Sequence, residues 1–317
     1  MFDRDHVIPQ AFGTFEPDNL VVQCVCKRCN GGLGRTIEQK MARDSMEAVE
    51  RIKNGLKKPS EWISRGPNGS VRVEITEEGP TKGVTGYYKA SHDGSSLSVD
   101  IAPTIGLSKS ESGPFEWFAP DKIPAKSSLS SRGYEKGDTF YIAFWGMPKA
   151  DAIDALEAQG YEYNCVAERW PSTGPVAVHI SSQIGSSELR TVCKIAMNYV
   201  AAMQGANYVL SPQFNETRAF VASGVEPANR LVRLAEPLSV ERTANGKTVR
   251  GHFIAARCVD GLVTAQVSLF SRFQYVVALT SVPLAVVLPD WGVAHVFDME
   301  TRTVEKAHLP PTPARTV

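Results

Sequence analysis

One stretch at the start of the chain constrains it more than anything that follows. It runs Asp3-Arg4-Asp5-His6-Val7-Ile8-Pro9, passes Gly13 and Asn19, and ends in Cys26-Lys27-Arg28-Cys29-Asn30-Gly31-Gly32-Leu33-Gly34. An acid and a histidine stand side by side, a turn rich in Pro and Gly follows, and a short apolar run (Leu20, Val21, Val22) leads into a Cys-x-x-Cys-Asn knuckle. The pattern predicts a strand into His6, a loop, a strand around 20–23 and a helix after Gly34. In that helix Leu33, Ile37, Met41, Ala48, Ile52 and Leu56 recur at helical spacing, and Asn54-Gly55 with Pro59 close it. So short a unit has little core of its own and relies on a metal or a neighbouring domain. Gly31, Gly32 and Gly34 lack the Lys-Ser/Thr of a phosphate-binding P-loop and are expected to allow a close turn out of the knuckle.

Lys plus Arg and Asp plus Glu both number 34 in 317 residues, so the chain as a whole is no polycation. Its charge is uneven, however. Residues 27–58 hold nine basic side chains against four acidic ones, a local field of the kind that attracts phosphates. Cys24, Cys26 and Cys29 cluster, while Cys165, Cys193 and Cys258 lie scattered in apolar surroundings. That usage suits a reduced compartment with one metal knuckle, not a disulfide framework. With no apolar run near ~18 residues and no leader-like N-terminus, the expectation is a cytoplasmic protein with no membrane contact.

Beyond a linker rich in Pro, Gly and Ser (59–70), the pattern changes to strands at 71–76, 84–90 and 97–102. A loop is expected over 107–137, then a strand at 139–145 and a helix at 148–159, with strands at 161–169 and 176–180. Helices follow at 188–204 and 212–223, and strands at 247–258, 262–270, 275–280, 284–288 and 294–297. The fold class is α+β: a finger with its following helix over 1–58, a mixed and mostly antiparallel α+β domain over 71–308, and a disordered tail over 309–317.

The acid-His-x-x-Pro, the middle Asn and the Cys-x-x-Cys-Asn-x-x-Leu-Gly resemble the HNH endonuclease motif, the ββα-metal finger, in its cysteine-bearing variant. The resemblance covers about a tenth of the chain and implies a role for each matching residue. Asp5 is a ligand of a catalytic Mg²⁺ or Mn²⁺, His6 the general base, Asn19 the brace of the loop that holds the base, and Asn30 the second ligand. Lys27, Arg28 and Arg35 flank the knuckle and are expected to meet the backbone of DNA, or of RNA, without reading bases.

Cys26 and Cys29 form half of a tetrahedral zinc site. The variant normally carries a second Cys-x-x-Cys before the acid-His pair, which is absent between Met1 and Asp5. Three explanations stand open: an incomplete site, recruitment of Cys24, or an N-terminal extension ahead of Met1. The alternative to a nuclease is a non-catalytic zinc-knuckle protein, for nucleic-acid binding or interaction, with Cys24, Cys26, Cys29 and also His6 on one zinc.

Overall fold

The computed structural model describes residues 2–16, 20–111, 113–134, 141–162, 176–225, 231–236, 241–243, 245–281 and 290–309. They form two compact units, Met1–Lys57 with Ile184–Val317, and Lys58–Gln183. The architecture is mixed α+β with antiparallel sheets. The stretch 71–308, expected as one domain, is thus divided at Gln183/Ile184. The segment expected as a linker carries two 3₁₀ turns (Pro59–Glu61 and Gly66–Asn68) and belongs to the second unit.

The first unit begins with strands β1 (Phe2–His6) and β2 (Val21–Cys26), paired antiparallel, and helix α1 (Lys27–Leu33). A π-helical turn, Gly34–Glu38, carries α1 directly into α2 (Gln39–Met41), and α3 (Met46–Lys53) follows. The apolar stripe read as one helix is therefore interrupted at Arg43-Asp44-Ser45. Ser45 causes the break. Its Oγ donates to the Met41 carbonyl (2.6 Å), ending one helix, and accepts from the Ala48 N–H (3.2 Å), capping the next. Arg51 donates to Ala42 O, just after α2, and, at 2.5 Å, to Ala11 O in the loop after β1.

The glycines of the knuckle do not form a turn. All three lie in helical backbone, and a Cβ added at Gly32 would meet nothing within 4 Å. Glycine inside a helix costs about 1 kcal/mol relative to alanine. Gly32→Ala is therefore expected to raise stability by about 0.5–1 kcal/mol, seen as a higher thermal midpoint; a lower one would mean the helix does not pass through this residue.

In the second unit, β3 (Val71–Ile75), β4 (Thr85–Ala90) and β5 (Leu97–Ile101) join with β9 (Val178–Ser182) in a four-stranded sheet ordered β5-β4-β3-β9. Strands β6 (Thr104–Ser108), β7 (Glu116–Phe118) and β8 (Tyr141–Trp145) make a three-stranded sheet. It shares a small core with helix α4 (Lys149–Glu157), around Ile105, Leu107, Ala152 and Leu156. The expected loop 107–137 thus contains β7, the end of β6 and a 3₁₀ segment, Lys126–Arg132. The expected strands 161–169 and 284–288 and the expected tail 309–317 lie wholly or mostly outside the described residues.

The first unit resumes with α5 (Ser186–Gln204), α6 (Ala206–Val209) and α7 (Asn215–Ser223). Strands β10 (Val232–Ala235), β11 (Glu241–Arg242), β12 (Thr248–Val249), β13 (Gly251–Val259), β14 (Leu262–Leu269), β15 (Phe273–Ala278), β16 (Trp291–Asp298) and β17 (Thr303–Lys306) follow. Six of them form one antiparallel sheet ordered β10-β15-β14-β13-β16-β17. At α5, Glu188 folds back to accept the Gly185 N–H (2.9 Å), and Gly205 stops the helix with φ +89°.

Val192, Ile195, Ala196, Tyr199 and Val200 of α5 pack in one core with Val7, Ile8, Phe12, Phe15 and Val22 of the N-terminal segment and with β13–β15. The finger thus completes its core against a neighbour. His252 on β13 fastens the loop after β1. Its Nδ1 accepts the Phe270 N–H (3.2 Å), so Nε2 carries the proton and donates to Phe12 O (2.9 Å). Burial pushes its pKa down to about 4, and the ring stays neutral.

Candidate active site

Strand alternation decides what Asp5 and His6 can do. Neighbouring residues on β1 face opposite ways, and here Asp5 is 5 % exposed while His6 is half-buried. A bulge sits beside them: the pairing steps from Asp3↔Val25 to Asp5↔Val22, so β2 spends an extra residue opposite Arg4.

Turned inward, Asp5 meets α5. Its Oδ1 accepts from Lys194 Nζ at 2.7 Å, and its Oδ2 from Asn198 Nδ2 at 3.0 Å. The same ammonium lies 2.6 Å from Oε1 of Glu38, on the π-helical turn. Asn198 also donates to the His6 carbonyl (3.4 Å), so α5 holds both the side chain before the imidazole and the backbone that carries it. Burial alone would lower the Lys194 pKa, but Glu38 and Asp5, through charge and hydrogen bonding, raise it above the ordinary lysine value. Lys194 and Asn198 stand one helical turn apart on a helix buried on nearly every side.

On the outer side, the His6 Nε2 lies 3.4 Å from Gln10 Nε2. Desolvation by partial burial lowers the imidazole pKa, with Asp5 opposing and Arg4 and Lys194 reinforcing. A neutral imidazole at pH 7 can accept a proton from water. Asn30, in the first turn of α1, donates from Nδ2 to Arg4 O at 3.3 Å, which places it against the backbone beside Asp5. Asn19 lies outside the described residues.

The two cysteines of the knuckle act as a helix cap. Cys26 Sγ accepts the Cys29 N–H at 3.2 Å, and hydrogen bonding from Cys29 holds the Cys26 thiol below its ordinary pKa. Cys24 is half-buried, and burial raises its thiol. Among the described residues no three His, Cys, Asp or Glu side chains are grouped to hold a metal, so Cys24 and His6 do not complete a zinc site with Cys26 and Cys29.

Carboxylate and amide oxygens are the hard donors that Mg²⁺ and Mn²⁺ take. Each Asp5 oxygen keeps lone-pair capacity beyond its one N–H partner. The donor chemistry of Asp5 and Asn30 therefore fits a hard divalent ion, which would meet the Lys194 ammonium there.

The sequence reading missed Lys194, Asn198 and Glu38. The available signal was a lysine and an asparagine at i and i+4 inside Val192-Cys193-Lys194-Ile195-Ala196-Met197-Asn198-Tyr199-Val200, where a solvated face has no room. The expected basic surface is better defined. Asp44, Glu47 and Glu50 are buried, while Lys27, Arg28, Arg35, Lys40 and Arg43 are exposed. Three of the four acids of this stretch are buried, while seven of its nine bases are exposed.

Among the described residues no helix is long and apolar enough to cross a membrane. No curated protein and no solved structure matches the chain. Residues 1–46 match the family model described as HNH endonuclease, so the segment that carries Asp5, His6, Cys26, Cys29 and Asn30 supports the HNH resemblance over that length.

Proposed function

We propose that the protein is an HNH-type endonuclease that hydrolyses phosphodiester bonds of DNA. The observation that carries the reading is the end of β1, where a half-exposed, neutral imidazole follows Asp5 in the chain and Asn30 is bonded to the Arg4 carbonyl of the same strand. His6 takes the proton of the attacking water at a ring nitrogen, with Gln10 against the ring and Asn198 holding the His6 carbonyl. Lys27, Arg28 and Arg35 grip backbone phosphates. A bound Mg²⁺ or Mn²⁺, held by Asp5 and Asn30, would supply Lewis-acid stabilisation of charge on the scissile phosphate.

The test is cleavage of supercoiled plasmid, and in parallel of RNA, by the full chain with Mg²⁺ or Mn²⁺. Cutting by the wild-type chain and none by His6→Ala supports the reading; equal cutting by both, or by neither, ends it. A base must be unprotonated to act, so the rate should rise with pH through an acid limb centred below the ordinary imidazole value of 6.5 and be level above it. A limb centred above that value would assign the base to another group.

One observation favours a second reading, a finger that binds nucleic acid without cutting it: the ammonium of Lys194 already neutralises Asp5. In that case His6→Ala and the wild-type chain bind DNA equally and neither cleaves.

A further inference from the structure

We propose that Lys194 is a built-in counter-cation which occupies the inner site between Asp5 and Glu38 and competes there with a divalent metal. Its Nζ lies 2.7 Å from Asp5 and 2.6 Å from Glu38, with the side chains of Lys194 and Asp5 only 4 % and 7 % exposed. The carboxylates come from different elements of the finger, Asp5 from β1 and Glu38 from the π-helical turn, and the lysine reaches both from α5. Such bracketing of one cationic centre by hard oxygens is what a metal would require.

Charge makes a second cation costly here. Two carboxylates and one ammonium leave a single negative charge, whereas adding a divalent ion would leave a buried positive charge beside a fixed lysine. Without the lysine, two carboxylates and one divalent ion balance. Asn198, which holds the second oxygen of Asp5, keeps the carboxylate aimed at this centre whichever cation is present. The inference uses the nuclease reading only in treating Asp5 as a cation ligand. Lys194 is a positioning residue here, acting on the metal site through Asp5.

The experiment is titration of the full-length chain with Mn²⁺ in the absence of nucleic acid, free Mn²⁺ being read by its electron paramagnetic resonance signal. Lys194→Met, and separately Lys194→Gln, should bind Mn²⁺ about 10- to 100-fold more tightly than the wild-type chain, and adding Asp5→Asn should remove the gain. Should both lysine variants fail to fold, Glu38→Gln decides: with one of the two bracketing acids gone, Mn²⁺ should bind more weakly than to the wild-type chain. Wild-type binding that is as tight as in the lysine variants, or that is unchanged by Glu38→Gln, overturns the proposal. Cleavage is not measured, so a failure here leaves the nuclease test standing, and a failure of that test leaves this one standing.

Discussion

Alanine at His6 is expected to slow DNA cleavage by roughly 10²–10⁴-fold, the usual contribution of a positioned general base, which corresponds to about 3–5 kcal/mol of activation free energy. The loss should fall on the chemical step. The imidazole is neutral at pH 7 and can take up a proton, because burial holds its pKa down against the pull of Asp5. Substrate affinity should change little, since the exposed cations Lys27, Arg28 and Arg35 lie on α1 and the turn after it. Single-turnover cleavage and filter binding on the same preparation separate the two effects. A variant with weakened binding and an unaltered rate of the bound complex would make His6 a contact residue and remove it from the chemistry.

The second large effect is on stability. Lys194→Met should destabilise the first unit by about 3–5 kcal/mol, because it leaves Asp5 and Glu38 as unpaired, buried or half-buried carboxylates. Replacing all three by neutral groups of similar shape, as in Lys194→Met with Asp5→Asn and Glu38→Gln, should recover most of that loss. Buried ion pairs and well-packed neutral groups differ little in net energy. Chemical denaturation of the single and triple variants measures both. Equal stability of Lys194→Met and wild type would mean that the ammonium is not buried with its acids in solution. The folded lysine pKa is raised above its unfolded value, so this stabilisation is fully present below about 10.5 and is lost only as pH rises through the folded pKa. The penalty should therefore be the same for the ammonium at pH 7 and pH 9.

Local pattern identified α5 well, because its apolar positions repeat at helical spacing and Gly205 stands where its backbone turns to positive φ. It also located β13, β14 and α7 to within a few residues. It failed where one residue redirects the chain. Ser45 splits the finger helix through two hydrogen bonds that no periodicity reveals. The knuckle glycines were read as a turn on intrinsic preference, yet α1 and the turn after it run straight through them. Strands β6, β7, β10 and β17 were missed because they are short, and their pairing is supplied by distant neighbours such as β15 beside β10 and β16 beside β17.

What the sequence determined by itself is the chemical inventory at the end of β1: an acid next to a histidine, an amide at the start of a helix, and a run of cations around it. Those are properties of residue type and of spacing within one short stretch. Which way Asp5 faces, and what cation it holds, was decided only by the tertiary structure. The answer comes from Lys194 and Asn198, nearly two hundred residues later in the chain. They reach Asp5 because α5 lies buried between the finger and the sheet, where a charged group persists only if its partner is brought to it.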